Sequence, residues 1–137
     1  MYLTEKFITK SDLNQIEKYA DKLFAKVGID VEFTRHFLDR VNDERNKKQI
    51  TTAELTRLFK QTFAKHGKKI ARLGPDAEAV LKDMRTDINM PFVLNFKNGE
   101  LELVGKTIMR KKDFKTPNPE LRVESFLDVY RKKKCLT

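Results

Sequence analysis

The sequence predicts an α+β domain, with N-terminal helices covering one face of an antiparallel sheet. Two observations carry this reading. Up to about residue 86, apolar residues recur at spacings of three and four, the period of a helix face. Beyond about residue 88 they alternate around one strong turn signal, Asn98-Gly99. The 137 residues fit one domain spanning the whole chain, with a basic tail over about 130–137.

The first helix is expected from about Ser11 to Val27, on the stripe Leu13, Ile16, Tyr19, Leu23 and Val27, with Gly28 as its stop. Asp30 to Phe33 reads as a short extended link. A second helix is expected to start at Thr34 as N-cap, with Phe33 and Leu38 as a hydrophobic staple. Thr51-Thr52-Ala53-Glu54 is a capping box opening a third helix, flanked by Ile50 and Leu55 as staple. Gly67 is expected to end that helix, with 68–74 as an extended connection. Asp76 to about Met84, beside Pro75, reads as a short fourth helix.

Asn-Gly favours a type I′ hairpin, which sets Lys97 opposite Glu100, Phe96 opposite Leu101 and Leu94 opposite Leu103. Gly105 is expected to mark a bulge before a continuing strand, Lys106 to Arg110. Lys111 to Pro119 reads as a basic loop, and Leu121 to Val123 as a further strand. The last segment is compatible with either a helix or a frayed tail.

The net charge of +9 is unevenly placed. Residues 60–72 carry +5 (Lys60, Lys65, Lys68, Lys69, Arg72) with no acid. Residues 106–115 carry +4 from Lys106, Arg110, Lys111, Lys112 and Lys115 against Asp113, and Arg131 to Lys134 add +4. The rest of the chain is therefore net negative. Clustered cations suit phosphates, because neutralising a polyanion releases its condensed counterions. Lys68, Lys69, Arg72, Lys106, Arg110, Lys111, Lys112 and Lys115 are thus candidate RNA contacts, and Phe114 is a candidate base-stacking platform.

Several classes are set aside. No window approaches a membrane span of roughly 18 apolar residues, and Met1 to Lys6 is too polar for a secretory signal. One cysteine, Cys135, excludes an intrachain disulfide, and two histidines make a Cys/His zinc site unexpected. Glycine-rich phosphate loops and serine nucleophile elbows are absent. A cytoplasmic protein is expected, without metal or cofactor.

His36 and Arg40 lie four apart, so on a helix they share a face. Histidine has the side-chain pKa nearest neutrality and can act as a general base. An adjacent guanidinium can stabilise phosphate charge. RNA carries its own nucleophile, the 2′-hydroxyl, so a base and a cation suffice for metal-free cleavage.

The run His36-Phe37-Leu38-Asp39-Arg40-Val41 resembles the histidine–arginine helix of the RegB family of phage endoribonucleases, grouped with RelE-type and barnase/colicin-type ribonucleases. Ile50 to Phe59 falls in a similar register. Asn98 to Leu103, continuing through Thr107-Ile108 to Asp113-Phe114-Lys115 and Pro117, resembles that family's hairpin and basic loop. The resemblance covers about residues 30–125.

It implies a helical layer on a four-stranded antiparallel sheet, and mRNA cleavage that leaves a cyclic phosphate. His36 would be the base or acid and Arg40 the phosphate stabiliser. Where that family can place a second histidine, this chain has Lys60, with His66 almost two turns later. The second acid–base role would fall to one of these. The expected partner is mRNA, at the ribosome or free, in a host cytoplasm if the protein is phage-encoded. A non-catalytic RNA- or DNA-binding module, or one gripping an acidic host protein, is the alternative. A monomer is expected, and no membrane partner.

Overall fold

The computed structural model describes residues 7–124. The expected basic tail and the last segment lie outside these residues. Three α-helices and six strands are described: α1 (Lys10–Phe24), β1 (Ile29–Phe33), α2 (Phe37–Val41), α3 (Thr52–Leu73), β2 (Glu78–Asp83), β3 (Ile88–Lys97), β4 (Glu100–Gly105), β5 (Met109–Arg110) and β6 (Glu120–Val123). The α+β class stands, and no described helix is long and apolar enough to cross a membrane. The sheet departs from expectation. It is a mixed, six-stranded sheet in the order β1-β4-β3-β2-β6, with β5 beside β3. The β1–β4 and β2–β6 pairs are parallel, so the sheet is neither four-stranded nor wholly antiparallel.

The helix starts follow local chemistry. Thr9 caps α1 in a reciprocal box with Asp12, and Thr51 caps α3 with Glu54. Helix α1 ends at Phe24, and a single 3₁₀ turn carries the chain to Gly28, whose φ of +74° makes the stop. Helix α3 passes through Gly67 and continues to Leu73, so residues 68–74 are not an extended connection. Gly67 is a seat for an aromatic ring. A Cβ there would meet the Phe63 ring at 3.0 Å.

Residues 78–83 form a strand, not a helix. Strand β2 lies between β3 and β6, and Ala79 to Asp83 are all buried. Burial on both faces, charged Lys82 and Asp83 included, erases the alternation that marks a strand.

The hairpin is as its turn predicts. Asn98 and Gly99 have φ of 53° and 80°, and Lys97–Glu100, Phe96–Leu101 and Leu94–Leu103 are opposed. Gly105 is not a bulge. It pairs in register with both Phe33 and Phe92, and a Cβ on it would meet Phe33 at 3.0 Å and Phe37 at 3.3 Å. Between Gly105 and β6 only Met109 and Arg110 form a strand, beside β3.

The core lies between the helices and one sheet face. Leu13, Ile16, Ala20 and Phe24 of α1 and Leu55, Leu58, Phe59 and Ile70 of α3 cover Val31, Leu81, Met90, Phe92 and Leu103. Strand β1 is an edge of the sheet. Its Val31 amide donates to Asp21 Oδ1 of α1 at 2.7 Å. An acid of α1 thus satisfies one edge amide, leaving less of that edge open to another strand.

Candidate nucleic-acid interface

Short helix α2 follows directly from β1, and its start differs from expectation. Thr34 does not cap it. The Thr34 hydroxyl donates to the Lys106 carbonyl at 2.8 Å, and His36 occupies the N-cap position. Phe33 packs in the strand, stacked on Phe37 with ring centroids 4.4 Å apart. This seats α2 over the end of β1 and β4, with His36 and Arg40 exposed.

Two buried asparagines then join distant segments. Asn46 donates to the Arg40 carbonyl (3.0 Å) and accepts from the Arg110 amide (3.0 Å). Asn89 donates to the carbonyls of Asp87 (3.1 Å) and Lys111 (2.9 Å). Arg110 completes the junction. Its guanidinium spans both oxygens of Glu54 at 2.8 and 3.1 Å, and also donates to the carbonyls of Lys48, Gln49 and Thr86.

These bonds hold three separated segments, 36–40, 43–48 and 106–113, around one groove of about 1030 Å³. Eight of its sixteen lining residues are Lys or Arg, against three Asp, so phosphate is the ligand it suits electrostatically.

The cations are not equivalent. Arg110 is only 12% exposed and is fully committed, so it is structural and not an open RNA contact as the sequence suggests. Burial alone would raise the Glu54 pKa. The hydrogen bonds from Arg110 and the Thr51 amide outweigh that and lower it. Arg45 is bonded to Asp43 at 2.9 Å, and Arg40 approaches the same carboxylate at 3.8 Å. The Arg45 hydrogen bonds hold Asp43 down at a pKa of about 2. Lys106 pairs with Glu78 at 2.9 Å. Lys47, Lys48, Lys111 and Lys112 are exposed and have no ion pair among the described residues.

Of the residues expected to act together, the groove unites His36, Arg40, Lys106, Arg110, Lys111 and Lys112. Lys60 and His66 do not line it. The His66 Nε2 lies 2.8 Å from the Arg122 carbonyl, which can only accept, so the ring donates and ties α3 to β6. Lys68, Lys69 and Arg72 are exposed near the end of α3, away from the lining, as is Lys115 in the basic loop. Phe114 is half-buried outside the groove, and its carbonyl accepts from the buried Lys82 at 3.0 Å. Arg45, Lys47 and Lys48 were not singled out from the sequence. Their run is legible as Arg-Asn-Lys-Lys, but Asp39, Asp43 and Glu44 nearby cancel its net charge.

An acidic region stands apart. Carboxylate oxygens of Asp30, Glu32 and Glu102 lie within 4.8 Å of one another on β1 and β4, close enough to share a cation. Burial, then repulsion from Glu32, raises the Glu102 pKa. Exposed acids in this arrangement are also common without an ion. No protein-family model, curated protein or solved structure matches this chain.

Proposed function

We propose that the protein binds RNA, with the phosphate backbone running through the groove between α2, residues 43–48 and residues 106–113. The observation that carries this is the convergence of three separate cationic segments on one cavity. Scattered solubility charge would not need buried asparagines and a committed arginine to bring it together. Exposed lysines with no internal partner are the side chains free to replace the counterions of a nucleic acid. The electrophoretic shift of a labelled mRNA fragment by purified protein tests this, repeated as salt is raised. Binding that weakens steeply with salt is expected. No shift, or a shift indifferent to salt, would refute it.

A second reading is that the groove also cleaves RNA, as the resemblance to the RegB-type endoribonucleases suggests. It is favoured by one specific observation, His36 and Arg40 on the same groove lining. His36 would take the 2′-hydroxyl proton as the oxygen attacks phosphorus. The bond to the 5′-oxygen breaks, a 2′,3′-cyclic phosphate forms, and the leaving oxygen takes its proton from water. Arg40 would offset charge on the phosphorane. Neither Lys60 nor His66 lines the groove as a second acid, so binding is the better supported function. End-labelled mRNA incubated in EDTA beside His36→Ala separates the two readings. Cleavage by the wild type alone, with cyclic-phosphate ends, establishes catalysis. Intact but shifted RNA leaves the binding function.

A further inference from the structure

We infer that the groove grips its polymer through phosphates alone, by two lysine pairs, Lys47–Lys48 on one wall and Lys111–Lys112 on the other. The ligand class is then an extended polyphosphate backbone, taken without regard to base sequence. The inference rests on the RNA-binding reading above and specifies how that site recognises its ligand.

The first observation is what the groove lacks. Its lining holds no Phe, Tyr or Trp, and His36 offers a platform for one base at most. Proteins that read unpaired bases stack them on aromatic rings. Most of the side chains suited to base edges are engaged elsewhere, Arg40 being the exposed one, with only a 3.8 Å approach to Asp43. Arg110 and Arg45 spend their guanidinium groups on Glu54, on backbone carbonyls and on Asp43. Asn46 uses its amide on the Arg40 carbonyl and the Arg110 amide. Bidentate readout of guanine or adenine needs such groups free. Among the Lys and Arg residues of the lining, those without an ion pair are Lys47, Lys48, Lys111 and Lys112, compact point charges suited to phosphate.

The second observation is the backbone at Lys47. Its φ of 66° and ψ of −47°, with the Lys48 amide donating to the Asn46 carbonyl at 2.7 Å, define a γ-turn of the rare, strained kind. Glycine would adopt this turn without strain, yet a lysine occupies it. Backbone strain of this sort persists where the surroundings hold it, and such positions gather at ligand sites. Here the holding groups are identifiable. Arg110 donates to the carbonyls of Lys48 at 3.2 Å and Gln49 at 3.0 Å, and its own amide is bonded to Asn46. Arg110 immediately precedes Lys111 and Lys112. One arginine therefore sets the spacing of both lysine pairs.

Fluorescence anisotropy with labelled oligo-A, oligo-U and a mixed-sequence RNA tests the inference, with inorganic polyphosphate as competitor and a salt series. Affinities within about threefold of each other, and full competition by polyphosphate, are expected. Replacing all four lysines by alanine should lower the logarithmic salt slope by about 3, at roughly 0.7 per single-strand phosphate contact. Lys47→Gly is the sharper variant, because relief of strain should raise its Tm while its salt slope falls by about 0.7. A sequence preference above threefold, or failure of polyphosphate to compete, overturns phosphate-only recognition. An unchanged slope in the four-lysine variant, or in Lys47→Gly, overturns the lysine clamp. Absence of binding to every RNA is a different failure, and removes the RNA-binding reading itself.

Discussion

Replacing Arg110 by methionine keeps the length of the side chain and removes its five side-chain hydrogen bonds, two of them to Glu54. The carboxylate of Glu54, 18% exposed, then retains only its bonds to the Thr51 amide and hydroxyl. Breaking a buried ion pair from one side costs about 3–5 kcal/mol. This pair is not fully buried, and water can reach some of the released carbonyls, so about 3 kcal/mol is expected. For a chain of this size that corresponds to a Tm lower by about 10 °C.

Urea and thermal denaturation followed by circular dichroism would measure the loss. Adding Glu54→Gln to Arg110→Met should recover about 1 kcal/mol, because the unpaired charge is gone while Gln still completes the capping box. The acid limb of the stability curve should flatten as well. The lowered pKa of Glu54 contributes stability that is present above its unfolded value of 4.5 and is lost as pH falls through the folded value. A loss below about 1 kcal/mol, together with a tenfold drop in RNA affinity, would refute the reasoning. Arg110 would then be a ligand contact, as its place in the basic run suggests.

Asp21 titrates in the opposite sense. Burial, opposed by the Val31 amide and aided by Asp30, raises its pKa from 3.8 to about 6. Its contribution to stability is complete below 3.8 and is lost as pH rises through about 6. Asp21→Asn retains the acceptor for Val31, so it should stabilise the protein at pH 7.5 by about 1 kcal/mol, after discounting for solvent screening, and by almost nothing at pH 4. Equal stabilisation in melts at both pH values would show that charge is not the cause. Gly105→Ala should cost about 1–2 kcal/mol by crowding Phe33 and Phe37, read as a lower urea midpoint with unchanged slope. A neutral result there would mean that the two rings shift freely.

The legible parts of this fold are those whose cause lies within a few residues. The capping box of Thr51 and Glu54, the left-handed stop at Gly28 and the hairpin register at Asn98-Gly99 each depend on neighbours in the chain. Errors arose where one local signal has two physical uses. Gly67 reads as a stop, yet it serves as the floor beneath Phe63. Gly105 reads as a bulge, yet it makes room for Phe33 and Phe37. Glycine marks the lack of a side chain in both cases, and only the neighbours tell which consequence matters.

The candidate site divides in the same way. His36 and Arg40 were legible as a pair from their spacing, and Lys106, Lys111 and Lys112 from a run of charge. Lys47 and Lys48 were hidden by acids close in sequence, of which Asp43 is taken up by Arg45 and Arg40. The sequence by itself therefore determined the class of the domain, the start of α3, the hairpin and the cationic character of the chain. Tertiary structure alone decided the strand order, the exclusion of Lys60 and His66 from the groove, and the conversion of Arg110 from ligand contact to tie. The reason is separation along the chain. Arg110 meets Glu54 across 56 residues and Asn46 across 64, and Thr34 meets Lys106 across 72. No local period or turn rule records which distant carbonyl or carboxylate will take a given donor. That choice is made when the helices close over the sheet.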